Sequence, residues 1–499
     1  MRVAFLSCHA SSLLSRVTSR DLARRNNASV VILVADGVRP DTLDAAMRAG
    51  EVPALRRLRE DGGMHVVTSV FPSVTGPAYA PFLMGRYPGP IGLPGLRWYD
   101  RARTATSFPH WSRSYVGSEV RKVDRDLDVA APTLFELTAS GLAAMNMIGR
   151  GLGARDREGH TLAFGLRAAR THFRGDLRGW LSIDRDVGTR IAERIRRERP
   201  EITFCALAAI DKLSHAAGHG AAIVSEALRI VDATAARIRD DAERDGRWDA
   251  MQLWIVSDHG HSAVRSHEDL AGLLQSWGLG VIAHPWIFGT GRDAAVMVSG
   301  NAMAHIYLEL ERGGGNGRRA RPWWPSLAAR WAWLPEQLLE RESVDLLLLP
   351  LGANDCEVRS GHRGTARVTS ERGCYSYRPL TGDPLGIGAH EGLTSEDARE
   401  VTMSSDYPDA LVQITHLAGC ARAGEIILSG AREWDFRARW EPIRHVSSHG
   451  ALHRDHMLVP ILLNRPPTRT PRRTVDVMPS ALRALDRPVP SGLDGVSFV

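Results

Sequence analysis

Lysine is almost absent from this chain. Only Lys122 and Lys212 occur among its 63 basic residues, and all the others are arginines, although the formal net charge is +6. No cluster of basic residues is interleaved with aromatic side chains, which is the pattern that nucleic-acid-binding surfaces show. The arginine excess therefore indicates a bias in residue usage, and we do not expect a nucleic-acid partner.

Cysteine is also scarce, and its spacing predicts no covalent framework. The five cysteines, Cys8, Cys205, Cys356, Cys374 and Cys420, are scattered and include no CxxC pair. This pattern indicates neither a disulfide network nor a thiolate zinc site. Cys356 and Cys374 could pair, but reduced thiols in the protein interior are the expectation.

Long apolar runs are missing as well. The sequence has no apolar stretch of about 18 residues, so we expect no membrane-spanning helix. Val3 to Leu6 is too short for the hydrophobic region of a secretory signal. With 499 residues and 43% hydrophobic content, the chain can bury a large core. We expect a cytoplasmic protein with an N-terminal extension over residues 1–28 and one large domain over residues 29–499.

The stretch from Val30 to Pro88 combines two features of a phosphoryl-transfer site. Its first apolar run ends at Asp36, which is typical of a buried parallel strand that brings a carboxylate to the edge of a sheet. Further along, Thr75 precedes a helix that has Pro77 in its first turn. Metal ions in such sites take oxygen ligands, and helix starts offer N–H groups to phosphate oxygens. Taken alone, a threonine in this position is more often a simple helix N-cap than a functional residue.

Two further apolar segments also end in an acidic residue. Ile202 to Ile210 is predicted to be a strand that runs into Asp211, and Met251 to Val256 precedes Asp258. In open α/β sheets, ligands gather outside the carboxyl ends of the strands, so Asp36, Asp211 and Asp258 should converge. The histidines that accompany these segments or recur near the C-terminus are His215, His259, His261, His449, His453 and His456.

Beyond residue 262 the sequence gives weaker signals of secondary structure. Strands are predicted at His305 to Leu310, Val344 to Leu349 and Leu411 to Thr415. The tryptophan-rich segment Arg321 to Leu334 is predicted to be a peripheral helix against the core, with a partner surface as the alternative.

The ordered residues that carry a resemblance to a known family are Asp36, Thr75, Asp211, His215, Asp258, His259 and His449. In type and order they resemble the alkaline phosphatase superfamily, and they look closest to its type I phosphodiesterase/nucleotide pyrophosphatase branch. The resemblance implies a three-layer α/β/α sandwich with a mostly parallel central sheet. Residues of about 101–200 and 262–400 would then be variable insertions.

The resemblance also implies two zinc ions, although the same ligands suit other divalent metals. One zinc would be held by Asp211, His215 and His449, and the other by Asp36, Asp258, His259 and Thr75. Thr75 would be the nucleophile and would form a phosphothreonine intermediate. Of the remaining histidines, His261, His453 and His456 are expected to support the ligands or the structure.

The sequence departs from the family just after the nucleophile. Many relatives continue with Phe-Pro-Asn-His, in which the asparagine reaches a phosphate oxygen, whereas this chain continues with Gly76-Pro77-Ala78-Tyr79. We therefore expect phosphate recognition from backbone N–H groups at the helix start, including Gly76, from Tyr79, or from a residue in the insertions.

The predicted function is a zinc-dependent hydrolase that cleaves a phosphodiester or pyrophosphate bond in a small phosphate-ester substrate, with nucleotides among the candidates. A phosphomonoesterase or phosphonate hydrolase of the same superfamily is an alternative, and a non-catalytic metal-binding scaffold is a further one. A sulfatase is disfavoured because the Cys/Ser-x-Pro-x-Arg nucleophile sequence is absent. The sequence indicates no oligomeric state.

Overall fold

A seven-stranded, mostly parallel sheet organises the computed structural model, which describes residues 28–101, 112–284, 293–310, 320–437, 443 and 445–499. The N-terminal extension predicted for residues 1–28 therefore lies almost wholly outside the described residues. In spatial order the strands are Met64–Thr68, Leu458–Leu463, Met251–Val256, Ser29–Ala35, Ile202–Leu207, Gly141–Ala144 and Arg157–Glu158.

Strand Ser29–Ala35 is the centre of this sheet. It is parallel to Ile202–Leu207 on one side and to Met251–Val256 on the other, in continuous register. The carboxyl ends of all three strands therefore meet at one edge, as the sequence predicted. Only Leu458–Leu463, which pairs with Met251–Val256, and its neighbour Met64–Thr68 introduce antiparallel pairings.

The two faces of the sheet have separate hydrophobic cores because side chains alternate along each strand. Ile32 and Val34 pack in one core with the helix Val477–Ala484. Val31 and Leu33 pack in the other. That second core is closed by the helices Pro40–Arg48, Pro53–Gly62, Leu177–Glu198 and Ala222–Arg244. The predicted α/β/α arrangement, with helices on both sides of a mostly parallel sheet, is confirmed.

The remaining described elements belong to smaller layers. The other α-helices are Ala80–Met84, Val123–Asp126, Leu162–Phe173, Ala209–Ala217, Leu270–Ser276, Ala328–Trp331, Trp333–Leu339, Ser395–Thr402, Ala410–Ala418 and Arg454–Met457. A nine-stranded sheet has the order Val281–Ala283, Ala294–Ser299, Met303–Leu308, Ile426–Gly430, Val344–Gly352, Asp355–Ser360, Gly364–Glu371, Cys374–Gly382 and His390–Leu393. Short strands at Glu433–Phe436, Ser262–Glu268 and Ser447–Ser448 form a third sheet, and Arg97–Tyr99 pairs with Ser112–Ser114.

The tryptophan-rich segment forms short helices against the second sheet. Trp324, Trp331 and Leu334 are buried in one hydrophobic cluster. This arrangement agrees with the predicted peripheral helix rather than with a partner surface. No helix among the described residues is both long and apolar enough to cross a membrane.

Two predicted strands are wrong in type or extent. Leu411 to Thr415 lies inside the helix Ala410–Ala418, nearly all of which is buried. When a short segment is buried on all sides, apolar residues occupy every face of it and show no helical or strand periodicity. The sequence pattern then cannot distinguish a helix from a strand. The strand predicted over Ile202 to Ile210 ends at Leu207, and Asp211 lies in the first turn of the helix Ala209–Ala217.

This helix receives its N-terminal cap from a neighbouring helix. The buried Asp184 carboxylate accepts hydrogen bonds from the N–H groups of Ala208 and Ala209 at 3.2 and 2.7 Å. Burial raises the pKa of Asp184 to about 7, although both backbone bonds favour the ionised form. Because Asp211 and His215 lie on the capped helix, Asp184 fixes the start of the segment that carries two predicted ligands.

We expect Asp184→Ala to lower the free energy of unfolding by about 2–4 kcal/mol, since two buried N–H groups lose their acceptor. The matched control is Asp186→Ala on the same helix, where the carboxylate forms an exposed ion pair with Arg167. That pair should contribute less than about 1 kcal/mol. Chemical denaturation of both variants checks the prediction, and equal losses would show that the cap is not important.

Candidate active site

All seven residues predicted to form the metal site come together at the carboxyl edge of the main sheet. Asp36 and Asp258 follow adjacent parallel strands. Asp211 and His215 are one turn apart on the helix Ala209–Ala217, so their side chains share a face. The others, Thr75, His259 and His449, are supplied by the segments after Met64–Thr68, Met251–Val256 and Ser447–Ser448.

Thr75, Asp36 and His259 form the first compact group. Thr75 Oγ1 donates to Asp36 Oδ1 at 3.3 Å and lies 3.1 Å from His259 Nε2. The same His259 nitrogen is 3.3 Å from Asp36 Oδ1 and 3.5 Å from Asp258 Oδ2. Asp258 Oδ1 accepts from the Gly37 N–H, whereas its buried Oδ2 has no hydrogen-bond partner among the described residues.

Asp211 is the centre of the second group. Its Oδ1 lies 3.2 Å from His215 Nε2, 3.0 Å from His261 Nε2 and 3.4 Å from His449 Nε2. The other carboxylate oxygen, Oδ2, accepts from Lys212 Nζ at 2.7 Å. The two groups adjoin each other, because the rings of His259 and His449 stack with centroids 3.6 Å apart.

The predicted histidine ligands are all oriented in the same way. Nδ1 of His215, His259 and His449 faces the main-chain oxygens of Ser447, Gly260 and Ser73, respectively, at 2.9, 3.1 and 2.9 Å. A carbonyl oxygen only accepts, so each Nδ1 carries a proton and the Nε2 atom is turned towards the carboxylates. Metal-binding histidines are usually fixed by such a bond on the other ring nitrogen.

The spacing of these atoms fits divalent cations. Ligands about 2.0–2.2 Å from a tetrahedral zinc lie about 3.4 Å from one another. The separations within both groups, 3.1–3.5 Å around His259 and 3.0–3.4 Å around Asp211, agree with that value. Mixed carboxylate and imidazole donors suit zinc and related transition metals. Asp36, Asp211, Asp258, His215, His259 and His449, with Thr75, could therefore hold two cations.

The electrostatics of the site also favour a cation. Asp36, Asp211 and Asp258 are at most 2% exposed. Burial, together with the nearby Asp36 carboxylate, raises the pKa of Asp258 to about 8. Burial alone would lower the pKa of His259, but Asp258 and Asp36 outweigh it and raise that pKa to about 9. Protons at these positions partly replace the positive charge that a bound metal would supply.

Tyr79 and Gly76, predicted to contact the substrate, have other structural roles. The Tyr79 hydroxyl donates to Asp36 Oδ2 at 3.2 Å, and the ring is buried against Phe204. Gly76 has a φ of +95°, and a Cβ there would lie 2.9 Å from Met147 Sδ. Their substrate contacts remain predictions, but the Tyr79 bond gives this residue a part in orienting Asp36.

The helix start after Thr75 offers fewer free N–H groups than the sequence suggested. Pro77–Tyr79 is a 3-10 turn followed by the five-residue helix Ala80–Met84. Within this turn the Ala78 N–H donates to Val74 O and the Tyr79 N–H to Gly76 O. These two amides are therefore not available to a phosphate oxygen.

A cavity of about 780 Å³ opens onto Thr75, Asp211, His215 and His449, and its lining also includes residues that the sequence analysis did not select. Among them, Lys212 comes from the Asp211 helix and Asn301 adjoins His449 through a β-bridge. Asn301 has a φ of +65°, and its buried Nδ2 has no hydrogen-bond partner among the described residues. The Gly300-Asn301 pair is a turn signal in the sequence, but it gives no hint of this location.

The predicted supporting histidines divide into two kinds. His261 lies within the Asp211 group, and its ring is fully buried. His456 instead bonds to Ser262 Oγ and accepts from the Ala451 N–H, at 2.8 and 3.0 Å. His453 packs against the His456 ring. His456 therefore connects two site segments, whereas His261 is placed like a ligand.

The family model for type I phosphodiesterase/nucleotide pyrophosphatase matches residues 30–340. The chain belongs to this family. Membership supports a phosphoester hydrolase, and it places this family member in the alkaline phosphatase superfamily, as the order of the site residues predicted. A comparison with curated proteins finds no match.

Solved structures share the fold of this family member. Phosphonoacetate hydrolase from Sinorhizobium meliloti 1021, in complex with phosphonoformate or with phosphonoacetate, is 17% identical with a TM-score of 0.55. The alignment covers 92% of this chain and 96% of that one. An inactive form of murine ectonucleotide pyrophosphatase/phosphodiesterase 5, in complex with AMP, is 14% identical with a TM-score of 0.53, covering 93% and 96% of the two chains.

If the Asp36 group binds a cation, we expect Tyr79→Phe to weaken that binding by about 10–100-fold, because the substitution removes the hydroxyl that orients Asp36. Competition with a chromogenic chelator measures the affinity. Tyr307→Phe is the matched control, since that buried hydroxyl donates to the main-chain oxygen of Arg422. Equal metal affinity in the two variants would remove Tyr79 from this role.

Proposed function

We propose that this chain is a two-metal hydrolase that cleaves a phosphodiester or pyrophosphate bond through a phosphothreonine intermediate on Thr75. The observation that supports the proposal most directly is the placement of Thr75 Oγ1 within 3.3 Å of both Asp36 Oδ1 and His259 Nε2. A hydroxyl held among metal-binding atoms and open to a large cavity is placed to act as a nucleophile.

In this proposal Asp211, His215 and His449 hold one cation, and Asp36, Asp258, His259 and Thr75 hold the other. When bound, the cations would lower the pKa of the Thr75 hydroxyl and neutralise charge on the transferring phosphoryl group. Zinc is the metal that the donor set favours, and other divalent transition metals are compatible with it.

The side chains have separate roles in the proposed reaction. Asp36 accepts the Thr75 hydrogen bond and fixes the direction of Oγ1. Attack forms the Oγ1–P bond and breaks the P–O bond to the leaving group, which departs with a proton. Water then cleaves the Oγ1–P bond, and the Thr75 hydroxyl is restored. Because both displacements occur at one phosphorus, the reaction should proceed with overall retention of configuration at that atom.

Counted over the proposed metal ligands, the two cations and Lys212, the charge favours a diester over a monoester. Asp36, Asp211, Asp258 and a Thr75 alkoxide would carry four negative charges, and two divalent cations with Lys212 would carry five positive ones. The surplus of one matches the single negative charge of a phosphodiester. A monoester dianion would require a further cation, and the cavity-lining Arg97 and Arg121 are the residues that could supply it.

The leaving group has an apolar wall to contact. Helix Leu162–Phe173 contributes Leu162, Phe164 and Leu166 to the cavity, and Leu162 and Leu166 are 71% and 63% exposed. Cavities of several hundred cubic ångströms accommodate ligands larger than a phosphate group. This wall supports an organic leaving group with an apolar or aromatic part, and a nucleotide base has such a surface.

Replacing the nucleophile tests the mechanism. We expect Thr75→Val to reduce kcat for bis(p-nitrophenyl) phosphate by at least about 1,000-fold, because loss of a nucleophile usually costs more than that. Thr75→Ser retains a hydroxyl and should keep measurable turnover. Acid-quenched enzyme labelled with a radioactive phosphodiester should contain phosphothreonine only when Thr75 is present. Turnover by the valine variant at the wild-type rate would exclude Thr75 as the nucleophile.

Comparing substrates separates the proposed activity from its alternatives. From the charge balance we expect kcat/KM for bis(p-nitrophenyl) phosphate to exceed that for p-nitrophenyl phosphate by at least about 10-fold. That ratio is a transition-state difference of about 1.4 kcal/mol. Phosphonates belong in the same panel, because one solved structure with this fold is a phosphonoacetate hydrolase. A preference for the monoester or for a phosphonate would favour that alternative.

A further inference from the structure

His261 has the environment of a metal ligand, although the resemblance assigned it no such role. Its ring is fully buried beside Asp211, with Nε2 3.0 Å from Asp211 Oδ1. This is the shortest of the three separations between that oxygen and a histidine nitrogen. The potential ligand atoms of Asp211, His215, His261 and His449 all lie within 4.8 Å of one another.

The contacts of His261 Nδ1 indicate which nitrogen of this ring could bind a metal. Ser447 Oγ donates its only proton to the main-chain oxygen of Ser262 at 2.9 Å. The same Oγ lies 3.2 Å from His261 Nδ1, and with its proton committed it can only accept there. In this hydrogen-bond arrangement Nδ1 donates to Ser447 Oγ, and Nε2 of the neutral ring turns its lone pair towards the Asp211 carboxylate.

A lone pair and a carboxylate oxygen at 3.0 Å repel each other unless a positive charge lies between them. His215 and His449 present Nε2 to the same oxygen in the same manner, with Nδ1 fixed by a main-chain carbonyl. One cation beside Asp211 Oδ1 would satisfy all three nitrogens. A proton on His261 Nε2 would satisfy only one of them.

We propose that His261 is a fourth protein ligand of the cation at Asp211. The inference rests on the proposed two-metal function and deepens it. With one carboxylate oxygen and three imidazoles, the protein itself would fill a tetrahedral zinc site, whereas catalytic zinc usually retains an open position. Binding of a phosphate oxygen at this cation would then require five-coordination or release of one histidine.

Two substitutions at His261 separate a ligand from a structural residue. In His261→Asn the amide nitrogen takes the place of Nδ1 and can still donate to Ser447, but nothing replaces Nε2. In His261→Gln the side-chain amide reaches the position of Nε2 and can offer an oxygen. We expect the asparagine variant to bind the cation at Asp211 at least about 100-fold more weakly, beyond the usual effect of losing a supporting hydrogen bond. The glutamine variant should recover part of the loss.

A milder pair of variants avoids replacing the buried ring. Ser447→Ala removes the acceptor of Nδ1 while keeping the main-chain oxygen that fixes His215. We expect about 10-fold weaker binding of the same cation. Ser448→Ala is the matched control, because that hydroxyl donates to the main-chain oxygen of Gly300 and not to a predicted ligand side chain. It should leave the affinity unchanged.

The experiment uses the whole 499-residue chain with Zn²⁺ and Co²⁺ as probes. Chelator competition gives the affinity and stoichiometry, and the visible absorption of bound Co²⁺ reports the coordination number. Inorganic phosphate should lower the wild-type absorption by adding a ligand. Wild-type affinity and spectrum in His261→Asn would overturn the inference while leaving the two-metal proposal intact. A wild-type protein that binds neither metal would overturn both.

Discussion

The repulsion among three buried carboxylates is the constraint on which the site depends. Asp36, Asp211 and Asp258 converge because parallel strands end at one edge of the sheet and the helix after Ile202–Leu207 begins there. Burying three negative charges together is unfavourable unless cations or protons compensate them. The raised pKa of Asp258 and of His259 has the direction that such compensation by protons requires. A divalent cation in each group would compensate the carboxylates more completely.

Hydrogen bonds from the surrounding structure fix the orientation of the side chains that could bind the metals. Main-chain carbonyls of Ser73, Gly260 and Ser447 orient three histidines, and Tyr79 orients Asp36. Three of these bonds join residues 43, 232 and 376 positions apart in the sequence, whereas the bond of His259 is to its neighbour Gly260. An error in any one segment would turn a donor away from its group. The site therefore depends on the parallel sheet, because the sheet holds segments that are distant in sequence at fixed distances from one another.

Much of the fold and the convergence of the predicted ligands could be predicted from sequence because the signals are local. A buried parallel strand is a continuous apolar run, and its end is visible where Asp36 or Asp258 follows. The extent of Ile202–Leu207 was overestimated because the next helix begins with apolar residues. Leu411 to Thr415 was mistaken for a strand because burial on all sides removes the helical period.

The roles of His261 and Asn301 could not be predicted in this way. His261 follows the predicted ligand His259 by two residues, but its ring orientation depends on a contact with Ser447, nearly 200 residues away. Asn301 reaches the cavity only because a bridge pairs it with His449. Both placements are set by pairings between distant segments, and pattern within a segment carries no information about them.

The rare lysine at the site has a physical reason of its own. Arginine replaces lysine almost everywhere in this chain, yet Lys212 adjoins Asp211 and bonds only Oδ2. A guanidinium at this point would present a two-pronged fork that pairs with both oxygens of a carboxylate. It would then compete for Oδ1, the oxygen that three histidines face. An ammonium group has no such fork, so it can neutralise Asp211 from outside and leave the inner oxygen to the cation.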